Sequence, residues 1–234
     1  MTESALPREN IRVLVLNGWA ASPHAWDLCR FRRTALFSYL DQLDGAPERF
    51  IEETLSSRPD ARFVLVGWSM GGSSALRLVC RFPERLAGLV LVAATPRMME
   101  DKPKDWRGLS ERRLDALFRG LQLTHGEGFF GVPPDKPNPY QMDSDENLLR
   151  GLDYLRQTDL RAALAAVAPA VTCPVSLFHS EHDGVVRPEN AAYLSGLFPQ
   201  ASVTLVPGTE HALPIFIPDL IDNVVSEMGG VLGA

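Results

Sequence analysis

One serine of the chain lies in a context that could make it a nucleophile. Ser69 is the centre of the string Gly-Trp-Ser-Met-Gly at 67–71, which follows an apolar run at 63–66 and precedes small, helix-favouring residues. This order predicts a strand, a sharp turn and a helix, with the serine hydroxyl at the turn. Glycines suit such a turn because side chains there would collide where the strand and the helix cross. A Gly-x-Ser-x-Gly string also arises by chance, so the flanking strand and helix carry the prediction.

Two later loops contain an acid and a base that could activate this serine. Asp183 follows the apolar run 175–179, and His211 follows the run 202–206. A serine hydroxyl becomes a useful nucleophile when a histidine takes its proton and an acid orients that histidine. The carboxyl ends of parallel strands meet at one edge of a sheet, so side chains that follow three such strands lie close together.

Each of these residues also has a structural interpretation. Asp183 could belong to a turn before Gly184, and Glu181 is a second candidate for the acid. His211 could be a structural histidine. The order serine, acid, histidine is that of one serine-hydrolase fold, the α/β-hydrolases. Because three candidates stand at three strand ends in this order, we predict the catalytic triad Ser69, Asp183 and His211.

Backbone N–H groups beside the serine could stabilise the negative charge that develops on a substrate carbonyl oxygen. The N–H of Met70 belongs to the first turn of the predicted helix and points toward such a charge. A second N–H is expected from Trp19, because Gly18 lets the backbone approach the nucleophile. Trp19 could alternatively be a plain packing residue. We predict that Trp19 and Met70 form an oxyanion hole.

The composition excludes several classes of function. The 234 residues carry a net charge of −6, with 45% hydrophobic and 22% charged residues. This acidic balance argues against nucleic-acid binding, which needs a basic face. The polar N-terminus lacks the apolar core of a signal peptide, and no apolar run approaches about 18 residues. We therefore expect a cytoplasmic, monomeric protein without a membrane span.

The three cysteines, Cys29, Cys80 and Cys173, are widely spaced and match no zinc-binding pattern. They are expected to be reduced thiols that pack as small apolar side chains. We predict that catalysis requires neither a metal nor an organic cofactor.

Strands and helices alternate along the chain, which predicts a doubly wound, mostly parallel sheet with helices on both faces. Residues 97–157 interrupt this alternation with dense charge and several prolines. We predict a core of residues 1–96 and 158–234 with an inserted helical cap at 97–157. A helix is expected over 160–167, with Thr158 or Asp159 as its N-cap. Residues 35–40 could be a strand or part of a helix.

Several motifs together resemble the α/β-hydrolases and, more narrowly, the pimeloyl-acyl-carrier-protein methyl ester esterases of biotin synthesis. The matching segments are 67–72, Phe-Pro-Glu-Arg-Leu at 82–86, 151–161 with Thr-Asp-Leu-Arg, Asp-Gly-Val-Val at 183–186, and Glu-His-Ala at 210–212. The resemblance covers residues 11–28, 63–96 and most of 148–220. The chain departs from the family in Asn17-Gly18, where His-Gly is usual, in a missing Asp-x-Pro-Gly-x-Gly turn, and in a reduced cap.

The resemblance implies an α/β-hydrolase fold with a small inserted cap and no cofactor. It also implies a serine carboxylesterase whose substrate is the methyl ester of a pimeloyl chain on acyl carrier protein. Because acyl carrier proteins are acidic, such an esterase should present arginines near its site. The candidates in or beside the cap are Arg112, Arg113, Arg150, Arg156 and Arg161. Neighbouring acids could instead pair with these arginines on a solvated surface.

Other functions are compatible with the same motifs. A general short-chain carboxylesterase or thioesterase would use the same triad, and a lyase of menaquinone synthesis uses a related scaffold. A binding protein that no longer turns over is an alternative of another class. An intact triad argues against it, and covalent labelling of Ser69 by a fluorophosphonate would separate the two.

Overall fold

A six-stranded sheet forms the centre of the computed structural model, which describes residues 8–127, 132–208 and 210–232. Residues 1–7, which belong to the segment where the sequence predicts no signal peptide, lie outside this description. The order across the sheet is β2-β1-β3-β4-β5-β6, and each neighbouring pair is parallel. The prediction of a mostly parallel sheet is therefore confirmed. The strands are β1 (Ile11–Leu16), β2 (Ala35–Phe37), β3 (Arg62–Trp68), β4 (Leu86–Val92), β5 (Val175–Ser180) and β6 (Ala201–Val206).

Helices cover both faces of the sheet. Within the described residues they are α1 (Tyr39–Leu43), α2 (Ala46–Ser57), α3 (Met70–Arg81), α4 (Glu111–Thr124), α5 (Asp145–Gln157), α6 (Arg161–Val167), α7 (Glu189–Leu197) and α8 (Pro218–Glu227). Side chains alternate along a strand, so the central strands need apolar residues at every position. Val64 and Val66 of β3 pack in the cluster that includes α4, α5 and α8. Phe63 and Leu65 pack in the opposite cluster with α2, α3 and α7.

The register of the strands aligns their carboxyl ends. Leu16 at the end of β1 is paired with Gly67 of β3, and Ser180 at the end of β5 is paired with Val206 of β6. The loops that follow these strands therefore open on the same edge of the sheet. This alignment brings the three predicted catalytic side chains within reach of one another, as the parallel arrangement requires.

The segment predicted to be a cap, called the cap segment below, spans residues 97–157, of which 97–127 and 132–157 are described. It contains α4 and α5, and its Leu117, Tyr140 and Leu155 border the space beside Ser69 at this edge. It is joined to the core by a backbone bridge between Ala21 and Tyr140, and by a 2.8 Å hydrogen bond from the N–H of Ser22 to the carbonyl of Pro139. Among the described helices, none has the length and apolar character needed to cross a membrane.

The start of α6 differs from the sequence-based expectation. The helix begins at Arg161 and is preceded by Leu160, whose side chain makes no capping hydrogen bond. Of the two predicted cap residues, Asp159 makes a capping contact one position further from the helix: its Oδ1 accepts a hydrogen bond from the N–H of Arg161 at 3.3 Å. The same carboxylate also forms ion pairs with the guanidinium groups of Arg97 and Arg161.

Candidate active site

The predicted nucleophile stands on a strained turn between β3 and α3. Ser69 is the N-cap residue of α3 and has φ 55° and ψ −119°, in the left-handed region that non-glycine residues rarely adopt. Such a conformation costs about 1–3 kcal/mol and persists only where the surroundings impose it. Here its N–H donates to the carbonyl of Val92, and its carbonyl accepts from Gly72 and Ser73. Backbone hydrogen bonds on both sides thus hold the serine at the apex.

Two glycines allow the turn to be this tight. A Cβ at Gly71 would lie 2.0 Å from the carbonyl oxygen of Leu16, and a Cβ at Gly67 would lie 2.5 Å from that of Gly71. Neither backbone oxygen can move away without breaking the packing of the elbow on β1. The glycines of the string are therefore required for steric reasons, as the sequence predicts.

The histidine joins the serine to the acid through two hydrogen bonds. His211 Nε2 lies 2.9 Å from Ser69 Oγ, and His211 Nδ1 lies 2.8 Å from Asp183 Oδ2. All three residues are buried. With Nδ1 donating to the carboxylate, Nε2 is the ring nitrogen that accepts the serine proton. The arrangement can therefore remove a proton from the hydroxyl and hold the resulting imidazolium against a carboxylate.

The acid is fixed by the loop in which it lies. Asp183 Oδ1 accepts hydrogen bonds from the N–H groups of Val185 (2.7 Å) and Val186 (3.0 Å), which leaves Oδ2 for the histidine. His179 Nε2 donates to the carbonyl of Val186 at 3.0 Å. Burial lowers the pKa of His179 from its ordinary value, which favours the neutral form of this ring of β5. Glu181, the second candidate for the acid, is exposed.

Two side chains that the sequence reasoning missed hold the loop of the histidine. Trp68 Nε1 donates to the carbonyl of His211 at 2.8 Å, and the hydroxyl of Ser180 donates to the carbonyl of Glu210. The only sequence signals for these two roles were that Trp68 precedes Ser69 and that Ser180 ends β5. Both bonds restrain the backbone on which the imidazole is mounted.

The two N–H groups predicted to form the oxyanion hole flank the serine. A Cβ at Gly18 would lie 3.4 Å from the Cβ of Ser69, so the loop after β1 passes close to the nucleophile. Met70 opens α3 directly behind it. Within the described residues, the N–H groups of Trp19 and Met70 have no recorded acceptor. Both N–H groups therefore remain candidates for the oxyanion hole.

Asn17 stands where the family that the chain resembles usually has a histidine, and its hydrogen bonds hold the loop after β1 in shape. Its Nδ2 donates to the carbonyl of Ser22 at 3.0 Å, and its Oδ1 accepts from Trp26 Nε1 at 2.8 Å. Its backbone N–H and carbonyl are bonded to Phe37 and to the side chain of Gln42. This buried asparagine therefore organises the loop that presents Gly18 and Trp19.

A small apolar cavity of about 20 Å³ adjoins the serine. Such a volume holds about one water molecule. Its walls come from the core and from the cap segment: Gly18, Trp19, Trp68, Ser69, Met98, Leu117, Tyr140, Leu155, Val185 and His211. Burial, together with the negative charge of Asp183, raises the pKa of Tyr140 well above its ordinary value, so this phenol is neutral. The site is apolar around its reacting atoms and nearly closed.

The five arginines proposed from the resemblance differ in their surroundings. Arg112 is exposed and has no recorded ion-pair partner among the described residues, whereas Arg113 donates to the carbonyl of Gly184 at 2.9 Å. The other three form ion pairs: Arg150 with Asp44, Arg156 with Glu111, Asp115 and Asp153, and Arg161 with Asp101 and Asp159. Arg112 is therefore the most available of the five for a partner.

Neither metal-binding clusters nor reactive thiols accompany the site in the described part of the chain. No group of three or more His, Cys, Asp or Glu side chains in that part could hold a metal ion. Burial raises the pKa of Cys29 to about 12 and that of Cys173 to about 11, which keeps both thiols protonated.

Comparison with known sequences gives consistent matches over most of the chain. A profile of the family described as "Serine aminopeptidase, S33" matches residues 36–215. A pimeloyl-[acyl-carrier protein] methyl ester esterase of Nitrosospira multiformis is 26% identical over 250 residues, which covers 91% of this chain and 92% of that protein. The protein of the same name from Nitrosomonas europaea is 28% identical, with coverages of 88% and 91%.

Solved structures match the whole architecture at low sequence identity. An esterase from Exiguobacterium antarcticum has a TM-score of 0.68 at 18% identity and covers 93% of this chain and 91% of its own. An α/β-hydrolase enzyme from a Medee basin deep-sea metagenome has a TM-score of 0.63 at 16% identity, with coverages of 97% and 91%. At these identities the likeness concerns the fold.

Proposed function

Because the chain belongs to the serine aminopeptidase S33 family of hydrolases, we propose that Ser69, His211 and Asp183 are its catalytic triad. The chain has the expected α/β-hydrolase fold and is a carboxylic ester hydrolase. The observation that carries the proposal is the continuous line of hydrogen bonds from Asp183 through His211 to the hydroxyl of Ser69.

The reaction we propose proceeds through a covalent acyl-enzyme. Ser69 Oγ attacks the ester carbonyl while His211 Nε2 takes its proton, and the N–H groups of Trp19 and Met70 bind the oxyanion that forms. His211 then donates the proton to the leaving alcohol. A water molecule, activated by the same imidazole, attacks the acyl-enzyme and releases the acid. Asp183 holds the ring in the required tautomer and stabilises its positive form.

Two measurements on the purified protein test this reaction. A fluorophosphonate should label the wild-type protein at Ser69, and p-nitrophenyl esters should be hydrolysed. The Ser69→Ala variant should lose both properties while keeping its circular dichroism spectrum, with a loss of about 10⁴–10⁶ in turnover. A wild-type protein that is neither labelled nor active would instead support a binding protein on a hydrolase scaffold.

For the natural substrate, we propose the methyl ester of a pimeloyl chain on acyl carrier protein. The names of the relatives support this choice, although their identity of 24–28% over most of the chain is distant. Arg112 supplies a positive charge for an acidic carrier. Its neighbour Arg113 bonds to Gly184, next to Asp183, and this contact sets the start of α4 at the rim of the site. A cytoplasmic location and a monomeric state belong to the same proposal and are open to fractionation and sedimentation measurements.

Complementation tests the biological role, and charge reversal tests the docking. The gene should restore growth without biotin in a strain that lacks its own esterase.

Arg112→Glu should raise KM for the carrier-bound ester and leave the kinetics on a small ester unchanged, because the triad is the same. Added salt should have the same selective effect by screening the attraction. Arg58→Glu is the matched control, since Arg58 lies exposed at the end of α2, before the amino end of β3. Equal responses of both substrates would exclude Arg112 as a docking residue.

A second candidate, a general short-chain carboxylesterase, is favoured by the cavity. The space of about 20 Å³ beside Ser69 must widen to admit any acyl group, and it must widen less for a short chain than for a long one. Four of the five candidate arginines are also bound to groups of the protein itself. Failure of complementation together with good hydrolysis of p-nitrophenyl acetate and butyrate would decide for this candidate.

A further inference from the structure

The indole of Trp19 is held by helix α5 of the cap segment. Trp19 Nε1 donates to the backbone carbonyl of Leu148 at 2.9 Å, and the residue is buried. A Cβ at Gly151 would lie 2.5 Å from Trp19 Cδ1 and 3.0 Å from Nε1. The indole therefore lies directly on the backbone of α5, at a place where the helix has no side chain.

The helix is itself anchored to the core at its amino end. The hydroxyl of Tyr39 donates to Asp143 at 2.7 Å, two residues before α5 begins, and Arg150 pairs with Asp44 at 2.7 Å. The Tyr39 ring also borders Gly151, where an added Cβ would lie 3.2 Å from Tyr39 Cδ2. The surface on which the indole rests is therefore fixed relative to the sheet.

We infer that α5 positions the oxyanion hole through the side chain of Trp19. This inference rests on the proposed function, in which the backbone N–H of Trp19 binds the oxyanion. The N–H and the indole belong to the same residue, so a fixed indole restrains the Cα and the tilt of the N–H. The next residue, Ala20, has a φ of 54°, which is a strained conformation that the surroundings must impose. Leu148 and Gly151 are thus positioning residues, because they act on the reaction through Trp19.

A displaced oxyanion donor and a simple packing defect would affect the kinetics and the stability of the protein differently. A displaced oxyanion donor weakens binding of the transition state and leaves ground-state binding largely intact, so kcat falls while KM changes little. A misplacement of about 1 Å can cost about 10² in rate. A packing defect would instead lower the thermal midpoint and reduce the fraction of active molecules, without changing kcat per titrated site.

The test compares Trp19→Phe with Trp106→Phe. Both tryptophans donate Nε1–H to a backbone carbonyl, that of Leu148 for Trp19 and that of Arg97, at 3.0 Å, for Trp106. We expect Trp19→Phe to lower kcat on p-nitrophenyl butyrate by roughly tenfold to a hundredfold, as a donor displaced by about 1 Å would. The rate is expressed per active site titrated with a fluorophosphonate. The affinity for a trifluoromethyl ketone, which forms a tetrahedral adduct with Ser69, should fall in parallel, with KM within about twofold. Trp106→Phe should change none of the three. Unchanged kcat and ketone affinity in Trp19→Phe would overturn the inference.

A second variant tests the helix directly and serves if Trp19→Phe does not fold. Gly151→Ala should push on the indole and lower kcat and ketone affinity together, whereas Gly196→Ala on α7 adds its Cβ to open space and should have no effect. Gly151→Ala should cost much less in a Trp19→Ala background, because the atoms that its Cβ meets, Trp19 Cδ1 and Nε1, are then absent. Full additivity of the two changes would overturn the inference. If the wild type is active and neither Trp19→Phe nor Gly151→Ala changes kcat or ketone affinity, the inference alone is refuted. If the wild type is inactive and is not labelled by a fluorophosphonate, the proposed function is refuted as well.

Discussion

At the scale of single residues, the proposed nucleophile combines a buried position beside the cavity with backbone strain. Ser69 keeps a φ of 55° because the packing of β3, α3 and the loop after β1 leaves no other path for the chain. The hydroxyl is presented to the cavity at a cost in folding free energy. Activity and stability should therefore respond in opposite directions to one substitution at this position.

Ser69→Gly should be inactive and yet more stable than Ser69→Ala. Glycine adopts a positive φ readily, whereas alanine keeps the strain, so we expect a difference of about 1 kcal/mol in the free energy of unfolding. Urea denaturation measures it. The matched pair is Ser195→Gly and Ser195→Ala at a half-buried position of α7, where glycine should be the less stable by about 1 kcal/mol. The same sign at both positions would contradict strain at Ser69.

The assignment of the acid leads to a second prediction. Asp183→Asn should lower kcat by about 10⁴, because an amide cannot stabilise the imidazolium or hold its tautomer. Glu181→Gln should leave activity within about twofold, since Glu181 is exposed while Asp183 contacts the histidine. Steady-state kinetics on a p-nitrophenyl ester decides the matter. A greater loss in Glu181→Gln would move the role of the acid to that residue.

The sequence was informative about the proposed catalytic residues and silent about the side chains that hold their loops. Ser69, Asp183 and His211 could be located because each follows a recognisable apolar strand. The donors Trp68 and Ser180 could not, since their acceptors are backbone carbonyls in a distant loop, 143 and 30 residues away. A contact of this kind depends on the path of the loop, which local sequence preference does not determine.

At the scale of helices and strands, periodicity located the elements better than their ends. The helix after the proposed nucleophile begins at Met70, because the strained serine is its N-cap. The undecided residues 35–40 contain both a strand and the start of a helix. They divide at Ser38, whose hydroxyl accepts from the N–H of Asp41 in a capping box. Such boundaries depend on caps and on neighbouring strands.

The ion pair between Asp159 and Arg161 at the start of α6 gives a third prediction, on stability. The Arg161 guanidinium lowers the pKa of Asp159 from 3.8 to about 2. The folded state therefore binds this proton less readily than the unfolded state, so the pair stabilises the protein above about pH 4 and loses this effect as the pH falls toward 2. Asp159→Asn should lower the free energy of unfolding at pH 7, and its difference from the wild type should shrink at pH 3.

Urea denaturation at the two pH values measures this difference. Asp135→Asn, at an exposed aspartate with no recorded ion pair among the described residues, is the control and should show no such pH dependence. A difference for Asp159→Asn that stays constant between pH 7 and pH 3 would mean that the pair with Arg161 does not stabilise the fold.

At the scale of the whole molecule, the sheet edge and the cap segment enclose the chemistry together. The core supplies the proposed triad and both proposed oxyanion donors, while Leu117 of α4 and Leu155 of α5 close the cavity from above. Exclusion of water from such a site strengthens its electrostatic interactions. The same closure limits the acyl chain that can reach Ser69, so the cap segment should govern substrate length more than the triad does.

A smaller side chain on α4 above the cavity should therefore change which acyl-chain lengths the enzyme prefers. Leu117→Ala opens space beside Ser69, and we expect kcat/KM for p-nitrophenyl octanoate to rise about tenfold relative to the acetate, within the range for added methylene groups in an apolar pocket. Leu123→Ala on the same helix is the matched control, because its side chain is 83% exposed and lies outside the cavity. The ratio of the two esters, measured for both variants and the wild type, is independent of enzyme concentration. If Leu117→Ala leaves this ratio unchanged, the acyl chain leaves Ser69 by another path, and the cavity under α4 does not set the substrate length.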